Sequence, residues 1–529
     1  MSTVTDARPP ESRTRRLGGD FAALAGGWVA RAALGLLISV VTARYLAPEA
    51  MGRYAFLIWL TGLAAIVLSL GLPTTVTRYA AEALGAGRPR EAGALLRLVV
   101  RWQGAVALAA AVAVAAAGLF VAGPWRLPLV LAALSVPPLV LHGSLAAFLS
   151  GLQVFRGQAV LGAATLMLQA ALLVLVVALD GGVTGLLLAH AAVNALGLGV
   201  LAWLARGEGR RRGALPPGGP LAAGARADVL RYARSVSALV VLDAVVWQRT
   251  EVAFLQVLAP PAEVAFYALA FGVAAQVSRI PYQLSVVVFP SFPALVGAGR
   301  AAELAGLHAT AMRYLVLLGA PLAVGLAVTA PAVVRLLYGP AYAPVAPVLA
   351  ILALGSLVTA AAGASPAVLH ATKRQDRLLR QGALAAGADL ALALLLVPRA
   401  GALGAALASV LAQALGSVLA IRAAARLAGA AVPWGALVRI TLAALGMGAV
   451  AAAPALALGG VAGLAAAVLL GLAAYPLALR LLRALTAEDL DRVRVLVERL
   501  PASARAGSLA LARFLCRGPV PTTPWSPSR

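Results

Sequence analysis

The sequence is poor in charge, in aromatic side chains and in cysteine. Only 12% of its 529 residues are charged and 5% are aromatic, whereas 62% are hydrophobic, and the mean hydropathy is +0.93. A soluble domain needs far more polar surface than this composition provides, so a soluble globular protein is excluded. Cys516 is the single cysteine, which excludes intramolecular disulfides and argues against a cysteine-based metal cluster.

The sequence also lacks catalytic motifs. No Walker loop, HExxH, GxSxG or dinucleotide fingerprint occurs in a usable context. The connections expected outside the cytoplasm are short, the longest covering roughly residues 333–347, so a large external catalytic domain is excluded. We therefore expect a protein that is not an enzyme and that holds no cofactor and no metal.

Long apolar segments are what the sequence has in abundance. Runs of about 20 apolar residues, enough to cross roughly 30 Å of hydrocarbon, recur from Phe21 to Leu479 with short polar breaks. In lipid every backbone N–H and C=O must be satisfied within the protein, so such runs predict helices. The sequence predicts an all-α polytopic membrane protein with about fourteen transmembrane helices, the first of them uncleaved and containing Arg31.

Positive charge is distributed unevenly along the chain. The formal net charge is +24, and lysine contributes only Lys373. With a cytoplasmic N-terminus, the arginine-rich connections all fall on the cytoplasmic side, as the positive-inside rule requires. This predicts a multi-pass protein of the bacterial inner membrane with both termini cytoplasmic, and it explains most of the basic charge without a nucleic-acid partner. The arginines expected on the opposite side are Arg44, Arg53, Arg126, Arg335 and Arg399.

An internal repeat is the most informative pattern. The segment GVTGLLLAHAAVNALG from Gly182 matches GALGAALASVLAQALG from Gly401 at seven ungapped positions, an offset of 219 residues. A second match supports the repeat. The tripeptide LAP at 46–48 is followed by Tyr-Ala at 54–55, and LAP at 258–260 is followed by Tyr-Ala at 267–268, at nearly the same spacing. Six helices per repeat give both halves the same orientation, the parallel arrangement of many alternating-access transporters.

The repeat predicts two six-helix lobes followed by two extra helices. The stretch between the lobes is basic and rich in Gly and Pro, which is typical of a linker, and the last segment contains an amphipathic pattern. The predicted regions are an N-terminal tail at 1–20, an N-lobe with helices 1 to 6 at 21–205, a cytoplasmic linker at 206–234, a C-lobe with helices 7 to 12 at 235–426, helices 13 and 14 at 432–480, and a cytoplasmic tail with an amphipathic helix at 481–529.

Ionisable residues inside apolar helices cost several kcal/mol and indicate function by default. The planar guanidinium group of arginine suits binding of phosphate or pyrophosphate. Buried carboxyl groups are candidates for coupling a proton or a sodium ion, or for pairing with the arginines. Two alternatives stay open: all these charges could form structural ion pairs, and Arg249 and Glu251 could extend to the membrane surface. The candidates for substrate binding are Arg31, Arg249 and Arg279, and those for ion coupling or charge pairing are Asp243, Glu251 and Asp389.

Five motifs in order resemble the polysaccharide flippases of the multidrug/oligosaccharidyl-lipid/polysaccharide exporter superfamily. They are ARYLAPEAMGRYAF, LGLPTTVTRYAAE, EVAFYALAFGV, RLLYGPAYAPVAPVLAILALGS and VPRAGALGAALASVLAQALG. The resemblance covers roughly residues 20–480. It implies a central cavity with positive residues for the phosphate-bearing head, and the flipping by alternating access of a polyprenyl-(pyro)phosphate-linked saccharide for O-antigen, lipopolysaccharide or exopolysaccharide biosynthesis. It also implies a monomer with glycosyltransferases or a polymerase as candidate partners.

Three alternatives accompany this resemblance. Peptidoglycan-precursor flippases of the same superfamily carry an arginine cluster in helices 1, 2 and 8, which Arg31, Arg53 and Arg279 match incompletely. A multidrug antiporter would export cations and prefer acidic or neutral cavity walls, contrary to these arginines. A membrane-embedded glycan polymerase or ligase would need the extracytoplasmic loop that the sequence lacks.

Overall fold

A computed structural model describes residues 31–121, 123–216, 223–247, 249–485 and 489 of the chain. Within these residues the chain is helical and contains no strand. The predicted N-terminal tail and nearly all of the predicted amphipathic helix lie outside the described residues. The helices are α1 (31–45), α2 (Pro48–Ser69), α3 (Leu72–Gly85), α4 (Pro89–Phe120), α5 (Arg126–Ala133), α6 (Val136–Gly151), α7 (Phe155–Ala178), α8 (Gly182–Arg211), α9 (Ala223–Trp247), α10 (Glu251–Leu258), α11 (Pro261–Val288), α12 (Ser291–Gly297), α13 (Leu304–Tyr338), α14 (Val345–Ala362), α15 (Ser365–Ala371), α16 (Gln375–Ala428), α17 (Trp434–Ala457) and α18 (Gly460–Leu481).

Eleven helical segments of the described chain are long and apolar enough to cross a membrane. The all-α membrane fold is thereby confirmed, whereas the count of fourteen helices stays a prediction. One of the eleven, α16, has 54 residues and would be about 81 Å long if straight, more than twice the hydrocarbon thickness. Gly401 interrupts it with φ +52° and ψ −129°, which divides it into two helical segments. Neither α1 nor α9 is among the eleven.

The inter-helix contacts divide the chain into two compact units, Met1–Ala244 and Val245–Arg529. In unit 1, α3, α4, α6, α8 and α9 surround an apolar core that includes Phe148, Leu149 and Leu152. The hydroxyl of Ser237 in α9 donates to the carbonyl of Leu70, between α2 and α3, at 2.5 Å. The second part of the predicted linker is therefore helical from residue 223 and packs into the core of unit 1. The hydrogen bond of Ser237 lies just beyond the linker, in the same helix.

In unit 2, α13 is the central helix. It packs against α11, α14, α17 and α18, and one core around Met312 and Ile440 joins α13 to the two final helices. A second core contains Phe292 and Leu315 and is closed by α15 and the end of α16. The two helices predicted to follow the repeat are therefore part of the packing of unit 2.

The backbone of the two units repeats at its turns. Four turn residues with positive φ in unit 1 have a counterpart in unit 2 at nearly the same spacing. The pairs are Gly87 with Gly299, Gly123 with Gly339, Gln153 with Lys373, and Gly182 with Gly401. Since side chains disfavour this conformation, its recurrence at matched positions supports the repeat independently of Ala and Leu identities.

The last of these turns is capped by a side chain in both units. In unit 2 the carboxylate of Glu263 accepts the backbone N–H of Ala402 at 2.7 Å, at the start of the second segment of α16. In unit 1 the backbone N–H of Gly182 donates to the Tyr45 hydroxyl at 2.8 Å, and that hydroxyl donates to Asp180 at 2.9 Å. Each cap satisfies a backbone donor that the helix itself leaves free.

The distribution of residue sizes fits a bilayer. Small residues such as Ala107, Ala320 and Ala405 are fully buried between helices, while large apolar residues such as Leu179 and Trp203 are more than 70% exposed. Small side chains allow membrane helices to approach closely, and the exposed apolar groups contact lipid instead of water. The chain is a multi-pass membrane protein.

Gly401→Ala should destabilise unit 2, because a Cβ at residue 401 would meet Oε2 of Glu263 at 2.5 Å and because the combination of φ +52° with ψ −129° is disfavoured for any residue with a side chain. We expect a loss of about 1–3 kcal/mol and a lower midpoint of thermal unfolding in detergent. Gly387→Ala is the control, since a Cβ there meets nothing within 4 Å inside the same long helix. Equal midpoints for the two variants would contradict the role of this cap.

Candidate functional site

A break between α9 and α10 places an arginine inside unit 2. Arg249 has φ +57°, a conformation uncommon for residues other than glycine and often found at functional sites. Its guanidinium carbon lies 5.0 Å from the ring centroid of Phe271 in α11, in the range of a cation–π interaction. The side chain is half-buried, and its extension to the membrane surface stays an open alternative.

Two carboxyl groups are buried next to this break. Glu251 is 2% exposed and Asp389, in the first segment of α16, is 5% exposed. The Thr250 hydroxyl donates to Oδ2 of Asp389 at 3.0 Å, and the Glu251 carboxyl lies beside Asp389 and the hydroxyl of Ser409. The break therefore brings together residues from α10 and from both segments of α16. The alternative in which Glu251 extends to the membrane surface is wrong for this side chain.

Tyr267 of α11 completes what we call the acidic cluster, which consists of Thr250, Glu251, Tyr267, Asp389 and Ser409. The phenol is fully buried and interacts electrostatically with Glu251, Asp389 and Arg249. Oxygen atoms of three members, Glu251 Oε2, Asp389 Oδ1 and the Tyr267 hydroxyl, are buried and accept no hydrogen bond from the described residues.

Burying an oxygen atom without a hydrogen-bond donor costs on the order of 1–3 kcal/mol. A proton or a cation bound by these oxygens would remove that cost. Carboxylate and hydroxyl oxygens are the ligands that hard cations prefer. The cluster therefore has oxygen atoms of the kind that bind protons and hard cations, and Arg249 lies at its edge.

The six candidate residues behave differently in the structure. Glu251, Asp389 and Arg249 lie together, whereas Arg279 lies on α11 about 18 Å beyond Tyr267 and is exposed. Arg31 in α1 is also exposed. Neither Arg31 nor Arg279 has an ion pair or a side-chain hydrogen bond to the residues whose side chains the structure describes, and the structural ion-pair alternative stays a prediction for both. The backbone of Asp243 belongs to α9, and its side chain lies outside the described part.

The sequence reasoning did not single out Thr250, Tyr267 and Ser409. Tyr267 is part of the motif EVAFYALAFGV, which could have drawn attention to it, but Thr250 and Ser409 carry no sequence signal. A further residue, Arg78 in α3 of unit 1, has its guanidinium carbon 4.5 Å from the ring centroid of Tyr232 in α9. Arg78 occurs in the motif LGLPTTVTRYAAE, and its contact joins α3 to α9.

Comparison with known sequences identifies the family. The profile described as "Polysaccharide biosynthesis protein" matches residues 17–296, more than half of the chain. The chain belongs to this family. A profile described as "Lipid II flippase MurJ" matches residues 276–471. No curated protein matches the chain.

Solved structures agree with this assignment at the level of the fold. The structure described as "Lipid II flippase MurJ, inward closed conformation" has a TM-score of 0.69 and 13% identity over 86% of this chain and 98% of that chain. An inward-facing multidrug resistance MATE family transporter of the MOP superfamily has a TM-score of 0.62 and 12% identity over 75% and 94%. A mutant of the Vibrio cholerae MATE transporter VcmN has a TM-score of 0.50 and 17% identity over 76% and 93%.

These matched structures are a flippase and transporters, and at this identity they show a common fold. Within the chain, Glu251 and Tyr267 lie in the segment matched by the polysaccharide biosynthesis profile, and Asp389 and Ser409 lie in the segment matched by the flippase profile. The acidic cluster therefore combines residues from both matched segments.

Thr250→Val should destabilise unit 2 by about 1–3 kcal/mol, because it removes the donor to Oδ2 of a buried carboxyl group. The measurement is thermal unfolding of the purified protein in detergent. Thr441→Val is the matched control, since the Thr441 hydroxyl donates to the carbonyl of Leu437 in its own helix, at 2.9 Å, and to no side chain of the described residues. If both variants unfold at the same temperature, the hydrogen bond to Asp389 does not stabilise the cluster.

Proposed function

We propose that this member of the polysaccharide biosynthesis protein family flips a lipid-linked saccharide from the cytoplasmic to the outer leaflet of the bacterial inner membrane. The cargo is a polyprenyl-(pyro)phosphate-linked unit for a cell-surface polysaccharide such as O-antigen, lipopolysaccharide or exopolysaccharide. The chain acts as a monomer with both termini in the cytoplasm, beside the glycosyltransferases that build the unit or the polymerase that consumes it.

One observation carries the proposal: Arg279 is an exposed guanidinium without a partner from the described residues inside an apolar span, Pro261–Gly297. Such a charge is stable in a membrane only when it faces water or pairs with an anion. Arg31, the first described residue of α1, is also exposed and has no such partner among the described residues. The anionic head group of a lipid meets this requirement, because one guanidinium group can bind two phosphate oxygens at once.

The physical problem that the protein solves concerns the head of the lipid alone. Hydroxyl and phosphate groups cannot cross hydrocarbon without large desolvation costs, whereas the polyprenyl tail can remain in lipid throughout. Alternating access shelters the head on each side in turn. The membrane potential favours outward movement of negative charge, by about 2.3 kcal/mol per charge for each 100 mV.

Arg279→Ala should slow flipping on the order of tenfold or more, since one charge-assisted phosphate contact is lost. The assay reconstitutes the protein in vesicles with a fluorescent undecaprenyl-pyrophosphate saccharide and follows its accessibility to a quencher. Arg211→Ala is the control, because Arg211 is exposed and forms a surface ion pair with Glu208 at 3.0 Å. Unchanged flipping by Arg279→Ala, with normal protein amounts, refutes the assigned role.

The acidic cluster is proposed to couple a proton or a sodium ion to this movement. Asp389→Asn removes one carboxylate while conserving size, and we expect flipping to lose its dependence on an imposed ion gradient. Asp376→Asn, in the exposed first turn of the same helix, should keep that dependence. A gradient response identical to wild type in Asp389→Asn would remove the cluster from the mechanism.

A second candidate function, export of cationic compounds, is favoured by the buried carboxyl pair and by the MATE-like fold. The same vesicles distinguish the two functions. Uptake or efflux of a cationic dye without movement of the lipid-linked saccharide would support the antiporter and overturn the flippase.

A further inference from the structure

Unit 1 contains an open cavity of about 570 Å³ at the end where α2, α5 and α8 begin. It is lined by Arg53 of α2, Arg126 of α5, and the first residues of α8 at 182–184, together with apolar side chains that include Leu46 and Leu127. This end of the unit is opposite to the end that carries the arginine-rich start of α4, at 88–101, and the arginine-rich end of α8, at 206–212. We call the cavity the arginine pocket.

The pocket carries uncompensated positive charge. Arg53 is half-buried and Arg126 is exposed, and neither guanidinium forms an ion pair or a side-chain hydrogen bond to the part of the chain that the structure describes. The lining contains no acidic residue. The nearby Asp180 accepts a hydrogen bond from Tyr45 and forms part of the α8 cap. Two guanidinium groups therefore face one space with no carboxylate between them.

The start of α8 adds to the positive potential. This helix has 30 residues, and its first residues lie in the wall of the pocket. The amino end of a helix carries partial positive charge that favours anions, although the N–H of Gly182 itself already donates to Tyr45. The helix terminus and the two arginines therefore favour the same kind of ligand.

The repeat provides an internal comparison for this pocket. By the spacing of the matched turns, Arg53 corresponds to Phe266 and Arg126 to Tyr342 in unit 2. Those two rings pack edge to face, with centroids 6.4 Å apart and planes at 88°, and are 8% and 2% exposed. The fold can thus close this position with an aromatic pair. Unit 1 has arginines and a cavity instead, so the cavity is not a requirement of the architecture.

We propose that the arginine pocket binds the phosphate group of an anionic phospholipid at the outer surface of the membrane. The surroundings favour a lipid over a soluble anion, because Phe120 is 91% and Leu127 is 53% exposed beside it and would contact the acyl region. Arginine forks match phosphate geometry, so the two guanidinium groups suit the phosphate of a lipid head group. The placement at the outer leaflet follows the topology proposed above, whereas the binding itself is independent of flipping.

The test measures lipid binding by the purified full-length protein in detergent, by native mass spectrometry and by thermal shift with phosphatidylglycerol. Arg53→Gln with Arg126→Gln should weaken phosphatidylglycerol binding at least tenfold. Arg90→Gln with Arg101→Gln, an equal loss of charge from exposed positions of α4, should bind as wild type does. Wild-type affinity in the Arg53 and Arg126 double variant would overturn the proposal.

A second variant separates binding from folding. Arg53→Phe with Arg126→Tyr imitates the pair of unit 2 and should keep or raise thermal stability while losing phosphatidylglycerol. Inorganic phosphate and undecaprenyl pyrophosphate are tested in parallel. If inorganic phosphate or undecaprenyl pyrophosphate binds in an arginine-dependent manner and phosphatidylglycerol does not, the pocket serves a soluble anion or the cargo, and the phospholipid assignment is wrong.

Discussion

The need to satisfy every backbone hydrogen bond in hydrocarbon governs this molecule. It forces the apolar chain into helices and leaves free backbone groups only where a helix begins, ends or bends. Polar side chains collect at these same places. Glu263 caps the bend at Gly401, and Tyr45 with Asp180 supports the start of α8 at Gly182. The acidic cluster likewise forms beside the break at Arg249. The functional chemistry thus lies where the helices are interrupted.

The two units share the arrangement of their helices and turns but differ in the polar side chains at equivalent positions. Their turns recur at matched positions, yet the space that Phe266 and Tyr342 close in unit 2 is open and basic in unit 1. Conversely, the acidic cluster depends on α10 and α16, which belong to unit 2. A duplicated fold can diverge in this way because the helix packing is set by small apolar residues, so a few polar positions can change without altering it.

Composition and periodicity predicted the helical membrane fold and the repeat, and they singled out the ionisable residues inside apolar segments as candidates. Each of these inferences depends on local sequence or on simple spacing. The break at Arg249 was not predictable, since a positive φ at an arginine has no sequence signal comparable to glycine. The contact between Thr250 and Asp389 joins residues 139 positions apart, and no local pattern specifies such a pairing. The local sequence of Tyr267 does not distinguish it from an ordinary core aromatic, and only the folded chain brings its hydroxyl near two carboxyl groups.

The arrangement of Arg249 bears on how such a cluster could work. A closed ion pair with Glu251 or Asp389 would neutralise one carboxylate permanently and reduce the attraction for a mobile cation. Arg249 instead has its guanidinium over the ring of Phe271, which offsets part of its desolvation without using a carboxylate. In the proposed mechanism, the negative charge of the cluster can be balanced in two competing ways. Either a mobile ion enters the cluster, or the Arg249 side chain moves toward the carboxyl groups. Two such states of similar free energy are what a ligand with different affinities for them can interconvert.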